Sequence, residues 1–172
     1  MFLNNLKNFL AKNSVKKLLS DTKHTYSDGY IKKVGLIVDE TEGLQKQNIL
    51  DLLVKHNIDV KNITVLRFKK SINTTEKLST DLFCYNDIDW FGNFKKASIT
   101  DFIAQPFDML INYFEIEKTP LMHVALQSKA KFKVGFDTVD KRVNHFIIKT
   151  LVEDFNEFVL ELFKYLKILN KI

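Results

Sequence analysis

The stretch from Gln105 to Asp137, QPFDMLINYFEIEKTPLMHVALQSKAKFKVGFD, predicts a strand, a crossover helix and a second strand. Its first part, residues 107–114, is a nearly continuous apolar run of strand length, which is typical of a strand covered on both faces. Thr119 is a good helix N-cap and Pro120 suits the first helical position, and apolar residues follow at helical spacing. Residues 131–136 then alternate, as in a strand that has one solvated side or lies near a sheet edge. Together these features predict a right-handed βαβ unit around a central strand.

The composition is that of one globular domain. Of 172 residues, 45% are apolar and 27% are charged, and five glycines and two prolines leave little material for linkers. We therefore expect a three-layer, Rossmann-like α/β domain over residues 30–172, with a mostly parallel sheet of five or six strands. A basic amphipathic leader of helices is predicted over residues 1–29, and a long helix over residues 151–170.

The other elements follow from shorter patterns. In the leader, the apolar face shifts after Asn13 and Ser14 is a good cap, so we predict two short helices with a bend between them. The remaining predictions are strands at 33–39, 62–68 and 82–86, helices at 42–56 and 98–104, and a strand or helix at 143–148.

The location of the chain is predicted from what its sequence lacks. Charges interrupt every apolar stretch well before the roughly 18 residues that a membrane-spanning helix needs. Residues 1–19 carry lysines throughout and do not have the pattern of a signal peptide, and the single Cys84 has no partner for an internal disulfide. We therefore expect a cytoplasmic protein without a transmembrane segment.

The positive charge is concentrated at the start of the chain. Residues 1–33 hold seven lysines and two acidic residues, for a net charge of +5, which equals the net charge of the whole chain. The other 139 residues hold 19 basic and 19 acidic groups and are neutral in sum. An amphipathic basic helix of this kind can dock into a partner's groove, contact nucleic-acid phosphates or lie on an anionic membrane.

We therefore predict a non-catalytic adaptor that engages an anionic assembly, a ribosome, RNA or protein complex, ahead of a peripheral membrane contact. The candidate partner-binding residues are Phe2, Leu6, Lys7, Phe9, Lys12, Lys16 and Lys17. The alternative is that the apolar stripe packs against the body and the lysines are merely solvated, and the sequence favours neither. Self-association through an aromatic-rich surface is a third possibility.

A small-ligand crevice is the competing functional hypothesis. Parallel sheets bind ligands at the carboxyl ends of their strands, where the strand order reverses. The candidate residues there are Asp39, Glu40, Asn112, Tyr113 and Glu115. The loop over residues 39–43 has three carboxylates and one glycine, which is wrong for a phosphate, and the dinucleotide and P-loop motifs are absent. We therefore predict no cofactor and no metal.

The histidines and the cysteine are expected to be structural. His24, His56, His123 and His145 lie far apart, without the short spacings of a zinc site, and we expect them at the surface or at helix ends. Cys84 lies in a predicted strand without a sequence signal for an activating base, so we expect it to be buried.

Residues 107–113 (FDMLINY) and 128–136 (SKAKFKVGF) resemble those of a family of small uncharacterised bacterial α/β proteins. That resemblance implies the fold but no activity. The same stretch is distantly similar to the amino-terminal domain of heptosyltransferase-type glycosyltransferases, in which a strand, a helix and a short strand ending in Gly-Phe follow one another. This second similarity covers about a fifth of the chain and implies at most a shared half-fold.

Overall fold

A computed structural model describes residues 2–22, 29–41, 43 and 46–172, with the side chains of 2–9, 46 and 77 outside the described part. Six parallel strands form one sheet in the order β3-β2-β1-β4-β5-β6. The strands are β1 (Val34–Asp39), β2 (Ile63–Phe68), β3 (Leu82–Phe83), β4 (Met109–Tyr113), β5 (Lys133–Phe136) and β6 (Phe146–Ile148). The predicted α/β fold with a parallel sheet is therefore confirmed.

Five α-helices accompany the sheet in the described ranges. They are α1 (Phe2–Asp21), α2 (Lys46–Lys55), α3 (Ala97–Ala104), α4 (Thr119–Gln127) and α5 (Phe155–Ile168). Short 3₁₀ turns lie at Val60–Asn62, Glu76–Leu78 and Tyr85–Asp87. None of the helices in these ranges combines the length and apolar character needed to cross a membrane.

The predicted central strand is confirmed. β4 pairs with β1 on one side and with β5 on the other, and all five of its residues are buried. From β1 the chain runs outward through β2 to β3 and then returns to β4, so the strand order reverses between β1 and β4. This strand order is the Rossmann order, and its switch point is where such sheets bind their ligands.

The sheet separates two apolar cores. Core residues of α2 and α5 cover one face, including Leu53 and Phe158. Core residues of α3 and α4 cover the other face, including Phe102 and Leu121. This arrangement gives the predicted three layers, with α1 added outside α4.

Helix α4 is enclosed on all sides. Its six residues from Pro120 to Ala125 are all buried, although a helix that covers a sheet normally leaves one face in solvent. The second cover is α1, which packs on α4 through Ala11, Val15 and Leu19. The apolar character of α4 around its whole circumference is therefore explained by a neighbour on each side.

The predicted bend in the leader is wrong, because α1 is one helix of 20 residues. Ser14 does not cap a new helix. Its hydroxyl instead donates to the backbone oxygen of Phe91, 3.1 Å away, in the loop after β3. A tertiary contact thus satisfies the side chain that the sequence indicated as a cap.

Two further local predictions need correction in the βαβ unit. Lys118 is the N-cap of α4, and Thr119 is its first residue. β5 has no solvated side, because all four of its residues are buried, but it lies next to the edge strand β6, as the second alternative predicted. The Lys133 ammonium donates to the backbone oxygen atoms of Ala125 (2.7 Å) and Leu126 (3.3 Å) at the end of α4, and burial lowers its pKa to about 8.

Gly92 provides a test of the contact between the loop after β3 and α4. Its φ is +90°, and a Cβ atom there would lie 2.2 Å from the Cε1 atom of His123. Gly43 has a similar φ of +83°, but a Cβ atom there meets no described atom within 4 Å. We expect Gly92→Ala to lower the free energy of unfolding by about 1–3 kcal/mol more than Gly43→Ala, since both carry backbone strain but only the first overpacks the ring.

Urea denaturation of the two variants measures this difference. Equal decreases in stability would contradict the close approach of Gly92 to His123.

Candidate functional site

The exposed side of α1 carries a row of lysines on the described surface. Ala11 and Leu19 are buried and Val15 is half-buried, so this side of the helix faces α4. Lys12, Lys16 and Lys17 are exposed, and we call these three residues the lysine face. Because the apolar side of α1 packs on α4, the backbone that carries the three lysines is held in place.

The ammonium groups of the lysine face are unpaired in the described structure, as are those of several exposed lysines of the body. Within the described part of the chain, none of its three lysines forms an ion pair or a side-chain hydrogen bond. Some cations of the body are paired, such as Arg67 with Asp81 (2.7 Å) and Lys131 with Asp108 (2.9 Å). The three ammonium groups are therefore available to an external anion.

A groove of about 400 Å³ lies beside this face, between α1, the start of α4 and the loop that joins β5 to β6. Lys12, Lys16 and Arg142 contribute positive charge to it, and Glu117 and Asp140 contribute negative charge. Arg142 is bound to Asp140 at 2.6 Å, so its charge is compensated within the loop. The two lysines of α1 keep the groove cationic on one wall.

The other predicted partner-binding residues lie in the first half of α1. Phe2, Leu6, Lys7 and Phe9 belong to the helix by their backbone, but their side chains are outside the described part. The hypothesis that they contact a partner stays a prediction.

The predicted crevice exists at the switch point of the sheet. A cavity of about 480 Å³ opens at the carboxyl ends of β1 and β4. The described residues that line it are Asp39, Gly43, Phe114, Glu115, Ile116, Val152 and Glu153. Its described wall is thus apolar with carboxylates, which disfavours phosphates and favours positively charged ligands.

The first two candidate acids of the crevice are engaged by neighbouring side chains. Asp39 forms an ion pair with Lys118 and accepts hydrogen bonds from the backbone N–H (3.0 Å) and the hydroxyl (2.5 Å) of Thr41. Glu40 is bound by Arg67 at 3.1 Å, which directs it toward β2. The hydrogen bonds from Arg67 to Asp81, with a further contribution from Glu40, raise the pKa of Arg67.

Asn112 and Tyr113 do not line the crevice. The Asn112 amide donates to the side-chain oxygen of Asn144 at 2.8 Å, beneath the loop between β5 and β6. The Tyr113 hydroxyl donates to the backbone oxygen of Val152 at 2.6 Å, and burial is the main reason that its pKa is raised. Of the predicted residues, Asp39 and Glu115 line the cavity. Val152 and Glu153 also line it, and they were not foreseen because they come from a distant part of the sequence.

The described residues offer no metal centre. No group of three or more His, Cys, Asp or Glu side chains in the described ranges is arranged to hold a metal ion. Cys84 is buried, as predicted, and burial raises the pKa of its thiol, which disfavours the nucleophilic thiolate.

His123 is a polar residue whose position the sequence patterns predict wrongly. They place it at the surface or at a helix end, yet it lies in the middle of α4 and is fully buried against α1 and the loop after β3. Its ring is hydrogen-bonded to Gln127 and to the backbone oxygen of Ala11. The sequence signal for the burial of His123 is that the other sides of its helix are apolar. A helix of this kind must be covered by a neighbouring element on each side.

Comparisons with known proteins identify a family but no activity. No curated protein and no solved structure matches the chain. The distant similarity to heptosyltransferase-type glycosyltransferases is therefore not shown, whereas the resemblance to an uncharacterised family is confirmed. The matching family model covers residues 7–169, which include most of α1 as well as the sheet. The chain belongs to this family, which is described as a family of unknown function (DUF6913).

Proposed function

We propose that this protein is a non-catalytic binding protein that engages a ribosome or another RNA assembly through the lysine face of α1. The observation that carries the proposal is the orientation of α1, whose apolar side packs on α4 while Lys12, Lys16 and Lys17 face solvent. The chain from residue 34 is neutral in sum, and α1, with four lysines and one aspartate, carries +3 of the net charge of +5.

The same orientation argues against a membrane as the partner. A helix that lies on a membrane inserts its apolar side between the lipids. In α1 the apolar positions Ala11 and Leu19 are already buried against the body. On the described second half of α1, the exposed side presents lysines and polar residues, which suits a phosphate backbone better than a bilayer.

The first test removes the charge of the lysine face and keeps its helix. A variant with Lys12→Gln, Lys16→Gln and Lys17→Gln should show little co-sedimentation with ribosomes at low salt. The slope of log affinity against log salt concentration should fall by roughly 0.7–0.9 for each phosphate that the variant no longer neutralises. Point variants are preferable to a deletion of residues 1–29, because the deletion would also uncover α4.

The matched control removes three exposed lysines elsewhere in the chain. Lys55→Gln, Lys149→Gln and Lys167→Gln change the net charge by the same amount and should leave ribosome binding nearly unchanged. Equal effects of the two triple variants would contradict the proposal, as would preferential binding of the wild type to anionic vesicles.

A second candidate function is supported by the cavity at the switch point. Its size and its carboxylates suit a small organic cation with an apolar body, so a small-ligand receptor, or an enzyme that acts on such a ligand, is the competing function. A glycosyltransferase-like enzyme is less well supported, since the described rim has no cation free to hold the phosphates of a sugar nucleotide and Lys118 is paired with Asp39.

A thermal-shift screen tests the cavity. Small apolar amines should raise the melting temperature, with a stabilisation of about 2.7 kcal/mol when the ligand is at 100 times its Kd, whereas nucleotides and sugar phosphates should not. The shift should disappear in Glu115→Gln/Glu153→Gln and persist in Asp101→Gln/Glu157→Gln, which removes two acids elsewhere. A shift that survives the first double substitution would contradict this assignment.

A further inference from the structure

The hydrogen bonds around His123 define its protonation state. The Gln127 amide nitrogen lies 3.1 Å from Nδ1 of His123 and 3.1 Å from the backbone oxygen of Gly92. An amide nitrogen only donates, so it uses one hydrogen for each contact and Nδ1 must accept. Nε2 therefore carries the single ring proton and donates to the backbone oxygen of Ala11 at 3.3 Å. The imidazole is neutral in this arrangement.

The neutral ring joins α1 to the body. Nε2 is also 3.3 Å from the Ser14 hydroxyl oxygen, and that hydroxyl donates its hydrogen to Phe91. Each donor in this group of contacts faces an acceptor. Two residues of α1, one residue of α4 and the loop after β3 are thus connected through one titratable side chain.

A second proton on the ring breaks this arrangement. It would place an N–H group at Nδ1 against the N–H groups of the Gln127 amide. Rotation of the Gln127 amide would place its oxygen next to Nδ1. The backbone oxygen of Gly92 would then face that oxygen and would lose the N–H group that donates to it. In one orientation of Gln127 the charged ring lacks an acceptor at Nδ1, and in the other the Gly92 carbonyl lacks a donor, so protonation costs a buried hydrogen bond either way.

The charged groups near His123 do not offer it a close partner. The loop after β3 contains Asp87, which is paired with Lys96, and Asp89, which acts on His123 and whose carboxylate accepts the backbone N–H groups of Phe91 (2.8 Å) and Asn93 (2.9 Å). Helix α4 has no charged residue, and the described charged residues of α1 near this level, Lys12 and Lys16, are exposed. Burial lowers the pKa of His123, and the Ala11 carbonyl and Asp89 oppose that effect only in part.

The described part of the contact between α1 and the body contains few buried side chains. Among its described side chains only Ala11 and Leu19 are fully buried, whereas α5 buries five residues in the opposite core. Elements with few buried apolar contacts open at a lower free energy than the core of the same molecule. Detachment of α1 leaves the strand pairing and the five buried residues of α5 in place, so it is a smaller opening than unfolding of the sheet.

We propose that His123 is a proton-sensitive latch that holds α1 on α4 when the ring is neutral and releases it when the ring is protonated. The latch is inferred from the geometry of the contact between α1 and α4. Its consequence for binding, that acid conditions alter the presentation of the lysine face, rests on the proposed function.

The direction of the effect follows from the proton affinities of the two states. With α1 detached, His123 is more exposed and its pKa returns toward the ordinary value of 6.5, whereas burial lowers the pKa in the docked state. As the pH falls below 6.5, the detached state binds the proton first, and its population rises up to about tenfold per pH unit until the docked pKa is reached. Above 6.5 both states are neutral and the latch does not respond to pH.

Hydrogen exchange between about pH 8 and pH 5, where histidine titrates, tests the latch on the full chain. After correction for intrinsic exchange rates, protection of α1 and α4 should fall by up to about tenfold per pH unit below 6.5, while protection of α5 stays constant. Trp90, the single tryptophan of the chain, lies in the loop that contacts His123 and should report the same transition by fluorescence.

Three variants make the test specific. His123→Gln keeps a donor and an acceptor but does not titrate, so the acid response of α1 should disappear. Gln127→Glu gives the imidazolium an acceptor and should keep α1 protected at low pH. His56→Gln, which removes a histidine that stacks on Phe163, should leave the response unchanged.

Any of three results would overturn the latch: constant protection of α1 across this pH range, the same acid response in His123→Gln, or a parallel decrease of protection in α5. Ribosome co-sedimentation at neutral pH tests the proposed function separately, because the latch is closed there.

Discussion

The burial of α4 on every side is the constraint on which the rest of the structure depends. A short apolar helix lies between the strands of a parallel sheet and a second helix, and neither cover alone would remove it from water. This requirement makes α1 part of the domain rather than an appended arm. It also explains why a histidine with a complete set of hydrogen bonds is found between the two helices, since a buried imidazole must be satisfied locally.

The molecule has two separate candidate sites, the lysine face of α1 and the cavity at the rim of the sheet. One side of α1 is used by the protein itself, and its other side presents lysines that have no partner within the described part of the chain. The cavity at the carboxyl ends of β1 and β4 lies on the rim of the sheet and carries carboxylates. The two surfaces have opposite charge, so an anionic partner and a cationic ligand would bind at different places.

Sequence patterns predicted the fold correctly where the residues of one element were sufficient to determine its structure. The apolar run at residues 107–114 indicated a central strand because strands of parallel sheets are covered on both faces. Predictions failed where a distant residue decided the outcome. Ser14 bonds to Phe91, Lys133 caps α4 and Asn112 pairs with Asn144, and each partner is a contact that only the folded chain creates. For the candidate site, the charge of α1 and the position of the crevice were predictable, whereas Val152 and Glu153 were not.

Nuclear Overhauser effects between the His123 ring and α1 test the central claim most directly. If α1 covers α4 in solution at neutral pH, the ring protons of His123 should show cross-peaks to protons of Ala11 and Ser14, because Nε2 lies 3.3 Å from the Ala11 carbonyl oxygen and 3.3 Å from the Ser14 hydroxyl. A well-dispersed spectrum of the folded chain without these cross-peaks would show that α1 is not docked, and would contradict the account.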